Sequence, residues 1–380
     1  MLGGGAMRTA SLLEFLARRF AVDVVLFAEE GAADPACALP PGVVRNSWTV
    51  RLPRHDRRLP ARAARNLLRY LRSRPPLLDR FSGFEGELSS FLQGRRYDVG
   101  VIEHFWCAPY VDLIEGHCRT TWMDLHNVES VWHERMAQTA GPLPSLVLRS
   151  FAASARELER SILPRFSGVL VPSKVDAGAI TRAAGTARVV VYPNAIPWVE
   201  MPAGGKDESI IFTGNLEYAP NVTAIKWFAG RVWPVLREWR PGLIWRIVGT
   251  NPGEIRRHIR DARQVEVVGP VKNAIEELAR ARVAVVPVLA GSGTRFKVIE
   301  AWAAGTPVVS TTIGVEGLKA RNEANVLIAD SPEKMSEAIS TLLESERMAA
   351  TVGSAGRRMY EECYTWEVAW RALERADAPC

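Results

Sequence analysis

Few cysteines, no long apolar run and no biased segment occur in this chain, and each lack argues against a class of protein. The five cysteines (Cys37, Cys107, Cys118, Cys363, Cys380) are odd in number and never form a C-x-x-C pair. That spacing argues against a disulfide framework and a zinc site, so the thiols are expected to be reduced and structural. The longest apolar stretch, Val283 to Ala290, is broken by Pro287 and falls short of the roughly 20 residues that a membrane-spanning helix needs. Glu14, Arg18 and Arg19 interrupt the only apolar candidate near the N-terminus, so no secretory signal is read and a cytoplasmic protein is expected. No strand is followed by G-x-G-x-x-G with an acid about 20 positions on, which argues against a nicotinamide dehydrogenase. There is no Asp-x-Asp motif to hold a metal ion.

What is present is an ordinary globular composition, 47% apolar and 24% charged over 380 residues, a length that suggests two domains at about 150 residues each. Strand-like runs at Val22–Phe27, Val99–Ile102, Thr120–Asp124, Val169–Val171 and Val189–Tyr192 alternate with amphipathic stretches. A second series follows at Ile210–Thr213, Leu243–Val248, Val265–Val268, Val283–Val286 and Val308–Ser310, separated by helices such as Asn221–Leu236 and Thr294–Ala304. Such alternation means βαβ units with parallel sheets. The expected class is α/β, with two Rossmann-like domains facing a cleft. Pro193 and Pro197 mark the connection, which gives an N-terminal domain over 1–193, a C-terminal domain over 194–362 and a closing helical segment over 363–380 that returns toward the first domain.

Gly3-Gly4-Gly5 leads directly into the helical pattern Arg8–Phe20 with no strand before it. Either a first strand precedes Met1, which would make Gly4 and Gly5 a ligand-approaching turn, or the glycines form a flexible tail.

The most informative segment runs from Gly291 to Val309: strand end, glycine turn, short helix, glycine stop and next strand. Gly291 and Gly293 permit close backbone approach to a ligand, and a helix beginning near Thr294 offers unpaired N–H groups to an anion. Arg295 and Lys297 add positive charge at that mouth, the first suited to bidentate phosphate contacts and the second acting as a point charge. Glu300, three residues after Lys297, reads either as an exposed partner in a weak helical ion pair or as a site carboxylate. His126, in Asp124-Leu125-His126-Asn127-Val128-Glu129, and the pair Glu103-His104 stand at strand ends. His126 reads as a helix-capping residue or a functional one.

The run Ile299-Glu300-Ala301-Trp302-Ala303-Ala304-Gly305-Thr306-Pro307-Val308-Val309 resembles the signature of glycosyltransferase family 4, a large retaining family with the GT-B fold. Phe212-Thr213-Gly214-Asn215, Ile247-Val248-Gly249, Val267-Val268-Gly269 and the Trp366–Leu373 helix stand where that family has counterparts. The resemblance implies a retaining transfer from a nucleotide diphosphate sugar, with no cofactor; no metal is expected if Arg295, Lys297 and the helix N-terminus stabilise the leaving diphosphate. It makes Glu300 the acceptor of hydrogen bonds from the ribose and His126 the histidine that faces the donor sugar. Gly4, Gly5, Gly214, Asn215, Gly249, Gly269, Ser292, Gly293 and Thr294 become substrate-binding candidates; Arg295 and Lys297 are assigned as the catalytic cations by inference from this sequence, not from the resemblance. Two departures stand out. The family's usual first acid falls at Ser292, and the Arg and Lys that often follow Gly214 are replaced by Asn215-Leu216-Glu217-Tyr218-Ala219-Pro220-Asn221.

The expected partners are a UDP- or GDP-sugar and a sugar or lipid-linked acceptor, without nucleic acid, in cell-surface polysaccharide or glycolipid synthesis. Rival readings are a nucleotide-sugar epimerase of the same architecture and a nucleotide-sugar-binding protein that has lost catalysis. The net charge of +6 concentrates in Arg45–Arg80, where eleven Arg meet only Asp56 and Asp79. That stretch, with Leu67, Leu68, Tyr70 and Leu71, reads as a solvated face or as an amphipathic helix attracted to an anionic membrane surface, with the protein peripheral on its inner face.

Overall fold

The computed structural model describes residues 4–39, 41–54, 65, 67–72, 74–259, 263–291 and 295–376. Contacts divide the chain into two units, Arg8–Tyr192 with Trp370–Cys380, and Pro193–Ala369 with Met1–Met7. The first border thus falls at Tyr192–Pro193, beside the proline-restricted segment, and residues 363–369 go with the second unit.

In the first unit β1 (Asp23–Glu29) pairs with β2 (Asn46–Leu52), and β3 (Tyr97–Glu103), β4 (Cys118–Asp124), β5 (Gly168–Val171) and β6 (Val189–Val191) form a second sheet in sequential order. All pairings are parallel. The central strand β5 is valine-rich and buried along its whole length, as helix-covered parallel strands must be. Met123, Leu125, Val169 and Val171 pack with Phe105, Tyr110 and Ile180.

The strand β2 corrects the reading of Arg45–Arg80 as one helical or loop segment. Val50 and Leu52 are buried, but the surrounding charge hides their two-residue alternation. Several of the arginines have local partners. Arg45 pairs with Asp23 at 2.8 Å, Arg51 and Arg54 donate to the carbonyls of Ala32 and Glu30, and Arg69 pairs with Asp79 at 2.8 Å. Leu67, Leu68 and Leu71 are exposed; residues 55–64, 66 and 73 lie outside the described residues.

The first helix, Gly4–Ala17, begins at the glycines rather than at Arg8. Phe15 packs near Trp370 of the Trp366–Arg375 helix, whose indole N–H donates to the Ser11 carbonyl at 3.1 Å. Arg8 on this helix is buried, as is Asp124 at the end of β4. The Arg8 guanidinium donates to both Asp124 carboxylate oxygens at 2.5–3.0 Å and to the Tyr192 carbonyl at 2.7 Å. Burial alone would raise the Asp124 carboxyl pKa, but the Arg8 charge and the neighbouring His126 outweigh it and hold it at about 2.

The second unit is one six-stranded sheet in the order β12-β11-β10-β7-β8-β9, comprising β7 (Asp207–Thr213), β8 (Ile244–Val248), β9 (Val265–Val268), β10 (Ala281–Val286), β11 (Val308–Ser310) and β12 (Leu327–Ile328). From β7 the chain steps outward to β9, then crosses back to place β10 on the other side of β7. The order reverses between β7 and β10. The helix expected over Asn221–Leu236 is two, Ala219–Arg231 and Trp233–Trp239, because Pro234 cannot donate the N–H that would continue the first. Gly305, at φ +67°, ends the Phe296–Ala303 helix. Among the described residues no helix is long and apolar enough to cross a membrane. The described cysteines are all free.

Removing Arg8 strands the Asp124 carboxylate in the interior. Arg8→Ala is expected to cost roughly 3–5 kcal/mol in urea unfolding. The carboxyl pKa is lowered by folding, so its contribution is present above its ordinary value of 3.8 and lost as pH falls through about 2. Wild type should therefore lose stability over that acid window and Arg8→Ala much less; parallel pH profiles would show that the pair does not control it.

Candidate functional site

Ligands of open parallel sheets bind beyond the carboxyl strand ends, at the point where strand order reverses. In the second unit that point lies between β7, which runs into Gly214, and β10, which runs into Gly291 and the Phe296–Ala303 helix. Gly214 has φ +151°, and a Cβ on Gly249 would lie 1.7 Å from the Gly214 carbonyl oxygen, so a side chain at 249 would force the two strand-end turns apart. A Cβ on Gly214 would in turn meet the Lys297 Nζ at 3.1 Å. Both glycines therefore admit the lysine to the strand end.

Lys297 is the second residue of its helix. Its ammonium donates to Asn221 Oδ1 at 2.7 Å and lies 4.1 Å from the Phe212 ring centroid. Asn221 is 6% exposed and its amide N–H donates to the Asn215 carbonyl at 2.7 Å. Asn215 itself receives the Glu217 N–H on its side-chain oxygen, so it shapes the turn. Asn221 was not singled out in the sequence, since its partner is 76 positions away. Its place in the first turn of the helix after Gly214 is the only local hint. Burial, reinforced by the Arg295 charge and partly offset by Glu300, pushes the Lys297 pKa down to about 7.

Arg295 is only 8% exposed; its guanidinium folds back to where a Cβ on Gly291 would be 3.1 Å away. Glu300 is half-buried rather than an exposed helical partner, and burial raises its carboxyl pKa against the opposing pull of Lys297. Two cations, a helix N-terminus and a carboxylate thus stand near one reversal point. Ser292, Gly293 and Thr294 lie outside the described residues. Gly4 stands against the Phe296 ring, 2.6 Å from where its Cβ would be, whereas a Cβ on Gly269 would meet nothing within 4 Å. Gly5 is an exposed residue of the first helical turn.

In the first unit, parallel register sets Glu103 of β3 directly beside Asp124 of β4. The next residues supply His104 and His126, whose ring centroids are 3.8 Å apart. His126 Nε2 lies 3.5 Å from Asp124 Oδ2 and 3.9 Å from Glu103 Oε2. The Thr9 hydroxyl donates to Glu103. Successive side chains of a strand normally point to opposite faces. His104 has φ +67°, a conformation that costs a non-glycine residue on the order of 1–3 kcal/mol and that clusters at functional sites. Its ring stacks on Trp106 at 4.3 Å. Burial, with the charge of His126 added, lowers the His104 pKa to about 3, so this imidazole is neutral. Burial and the nearby Asp124 charge raise that of Glu103.

Residues 207–345 match the family model described as glycosyl transferases group 1. No curated protein matches the chain. Among solved structures, the chain is similar to the sucrose-phosphate synthase of Thermosynechococcus elongatus at 18% identity, over 98% of this chain and 92% of that one, with a TM-score of 0.74. Anabaena Alr3699/HepE, solved with UDP and glucose, is 13% identical over 100% and 96% of the two chains, TM-score 0.67. WaaG, a glycosyltransferase involved in lipopolysaccharide biosynthesis, is 14% identical over 100% and 97%, TM-score 0.62. At such identities the likeness defines the fold, which is GT-B. Over residues 207–345 the chain is similar to the group 1 glycosyltransferases.

The Lys297 pKa makes anion binding here pH-dependent. An ammonium held at about 7 against an ordinary value of 10.5 must be protonated to meet a diphosphate, so binding takes up a proton above neutrality. UDP affinity should fall by up to tenfold per unit as pH rises above 7, while the ligand-free protein gains stability over the same window, because the unfolded chain binds the extra proton. Calorimetric titrations at pH 6.5, 7.5 and 8.5 check this. The slope should vanish in Lys297→Met, and a slope retained there would assign it to another group.

Proposed function

We propose that the chain is a retaining, metal-independent glycosyltransferase that moves a sugar from a nucleotide diphosphate sugar to a sugar or lipid-linked acceptor. The observation that carries this reading is the Lys297–Asn221 pair at the β7–β10 reversal, with Arg295 beside it and Glu300 one helical turn further on. The leaving diphosphate gains charge as the bond to the sugar C1 breaks, so cations and helix N–H groups aimed at it stabilise the transition state more than the ground state. Glu300 accepts hydrogen bonds from donor hydroxyls, and His126 of the first unit serves the transferred sugar. UDP-sugars are the first donors to test, since HepE has been solved with UDP-glucose; GDP-sugars are the alternative. Cell-surface polysaccharide or glycolipid synthesis is the proposed setting, and the cytoplasm the proposed compartment.

Incubation with labelled UDP- and GDP-sugars and candidate acceptors, followed by assignment of the product's anomeric configuration, tests the reading. Tight nucleotide binding without transfer or donor hydrolysis would instead favour a binding protein that has lost catalysis, which Ser292 in place of the usual acid would explain. Glu300→Gln should weaken donor-sugar binding by roughly 1.5–3 kcal/mol, the worth of a hydrogen bond to a charged group. Wild-type binding and turnover in that variant would refute the role of Glu300.

The exposed Leu67, Leu68 and Leu71 support a further part of the proposal, attraction of the Arg45–Arg80 region to an anionic leaflet. Co-sedimentation with anionic vesicles should be lost between 0.1 and 1 M salt, over which the Debye length falls from about 10 to about 3 Å. No binding at low salt would leave a soluble acceptor as the better assignment.

A further inference from the structure

The strand-end cluster of the first unit holds more ligating chemistry than a sugar hydroxyl requires. Glu103, His104 and His126 each bring one ligating atom within 4.8 Å of the others. The His126 side chain is only 10% exposed, yet its Nδ1 has no hydrogen-bond partner, and neither does Nδ1 of His104. Buried imidazole nitrogens without partners are unusual, because each leaves a lone pair or an N–H desolvated. The positive φ of His104, the residue after β3, lets its ring turn to the same side as the Glu103 carboxylate. Trp106, stacked on the His104 ring at 4.3 Å, and Asp124, 3.5 Å from His126 Nε2 and anchored by Arg8, restrain the two rings.

Two imidazoles and one carboxylate with open positions are the donor set of a transition-metal site, and nitrogen ligands favour zinc or cobalt over magnesium or calcium. We propose that Glu103, His104 and His126 bind one divalent transition-metal ion of the zinc or cobalt type, and that the bound ion blocks sugar transfer by occupying His126. Metal binding stands on this cluster alone; the block rests on the reading of His126 given above. The transfer itself remains metal-independent, so zinc acts as an inhibitor and not as a cofactor.

Cobalt(II) titration of the full chain, followed by its visible d–d absorption, and equilibrium dialysis with zinc test the site without any assay of activity. One ion per chain is expected, unaffected by millimolar magnesium and bound at least tenfold more weakly by His104→Gly, which tolerates the positive φ, and by Glu103→Gln. Circular dichroism identifies variants that have not folded, and either folded variant decides the question. Absence of the cobalt band, or equal binding by wild type and a folded variant, as the free cysteines would produce, overturns the proposal. In the transfer assay, zinc should inhibit in step with occupancy, with the midpoint raised at least tenfold in His104→Gly. Stoichiometric binding without inhibition would keep the metal site and remove His126 from the transfer reading.

Discussion

Parallel pairing obliges every strand of a sheet to end on the same side, and both sets of ionisable residues follow from that constraint. In the first unit the register that pairs Glu103 with Asp124 delivers two carboxylates side by side, and the following residues deliver two imidazoles. Neighbouring carboxylates cannot both stay charged without a cation, so the buried Arg8 decides which one is ionised. Asp124 is held low and Glu103 is pushed up. The division of charge at this strand end is therefore set by a helix residue 116 positions from its partner.

In the second unit the same constraint works through the crossover. Placing β10 beside β7 brings the start of the Phe296–Ala303 helix to the end of β7, where Gly214 and Gly249 leave room for Lys297. Burying an ammonium is unfavourable, and the Asn221 oxygen and the Phe212 ring only partly offset the lost water. A lysine left short of ligands in this way interacts more strongly with an arriving anion than a solvated one would, because the desolvation has already been met in folding. The depressed pKa and the proposed affinity for diphosphate are two expressions of the same burial.

Much of this was legible in the sequence. The alternation of valine-rich runs gave both strand series, and Gly291, Gly305 and the cations between them marked the turn, helix and stop. Three features were not legible, each for a physical reason. Arg51 projects outward between Val50 and Leu52, with Arg45 before the strand and Arg54 after it, and hides the alternation of β2; their partners, such as Asp23 for Arg45 and the Ala32 carbonyl for Arg51, lie elsewhere in the chain. Pro234 splits a helix whose apolar period continues across the break. Burial of Arg295 and the pairing of Lys297 with Asn221 depend on chain segments meeting in space, which local periodicity does not record.

The departures from the family pattern also take on a physical sense. A basic pair after Gly214 would place its charges on the turn that Asn215 and Asn221 now shape by hydrogen bonding. With Lys297 already 4.1 Å from the Phe212 ring centroid, a further cation there would repel it and depress its pKa further. The Asn215-to-Asn221 turn, whose one charged side chain is Glu217, instead gives the lysine a hydrogen-bond acceptor, so the positive charge of this strand end comes from the helix side, through Arg295 and Lys297, and the strand side supplies orientation. A chain arranged in this way can dispense with the turn cations only while Lys297 keeps its proton, which ties the proposed donor chemistry to neutral or lower pH.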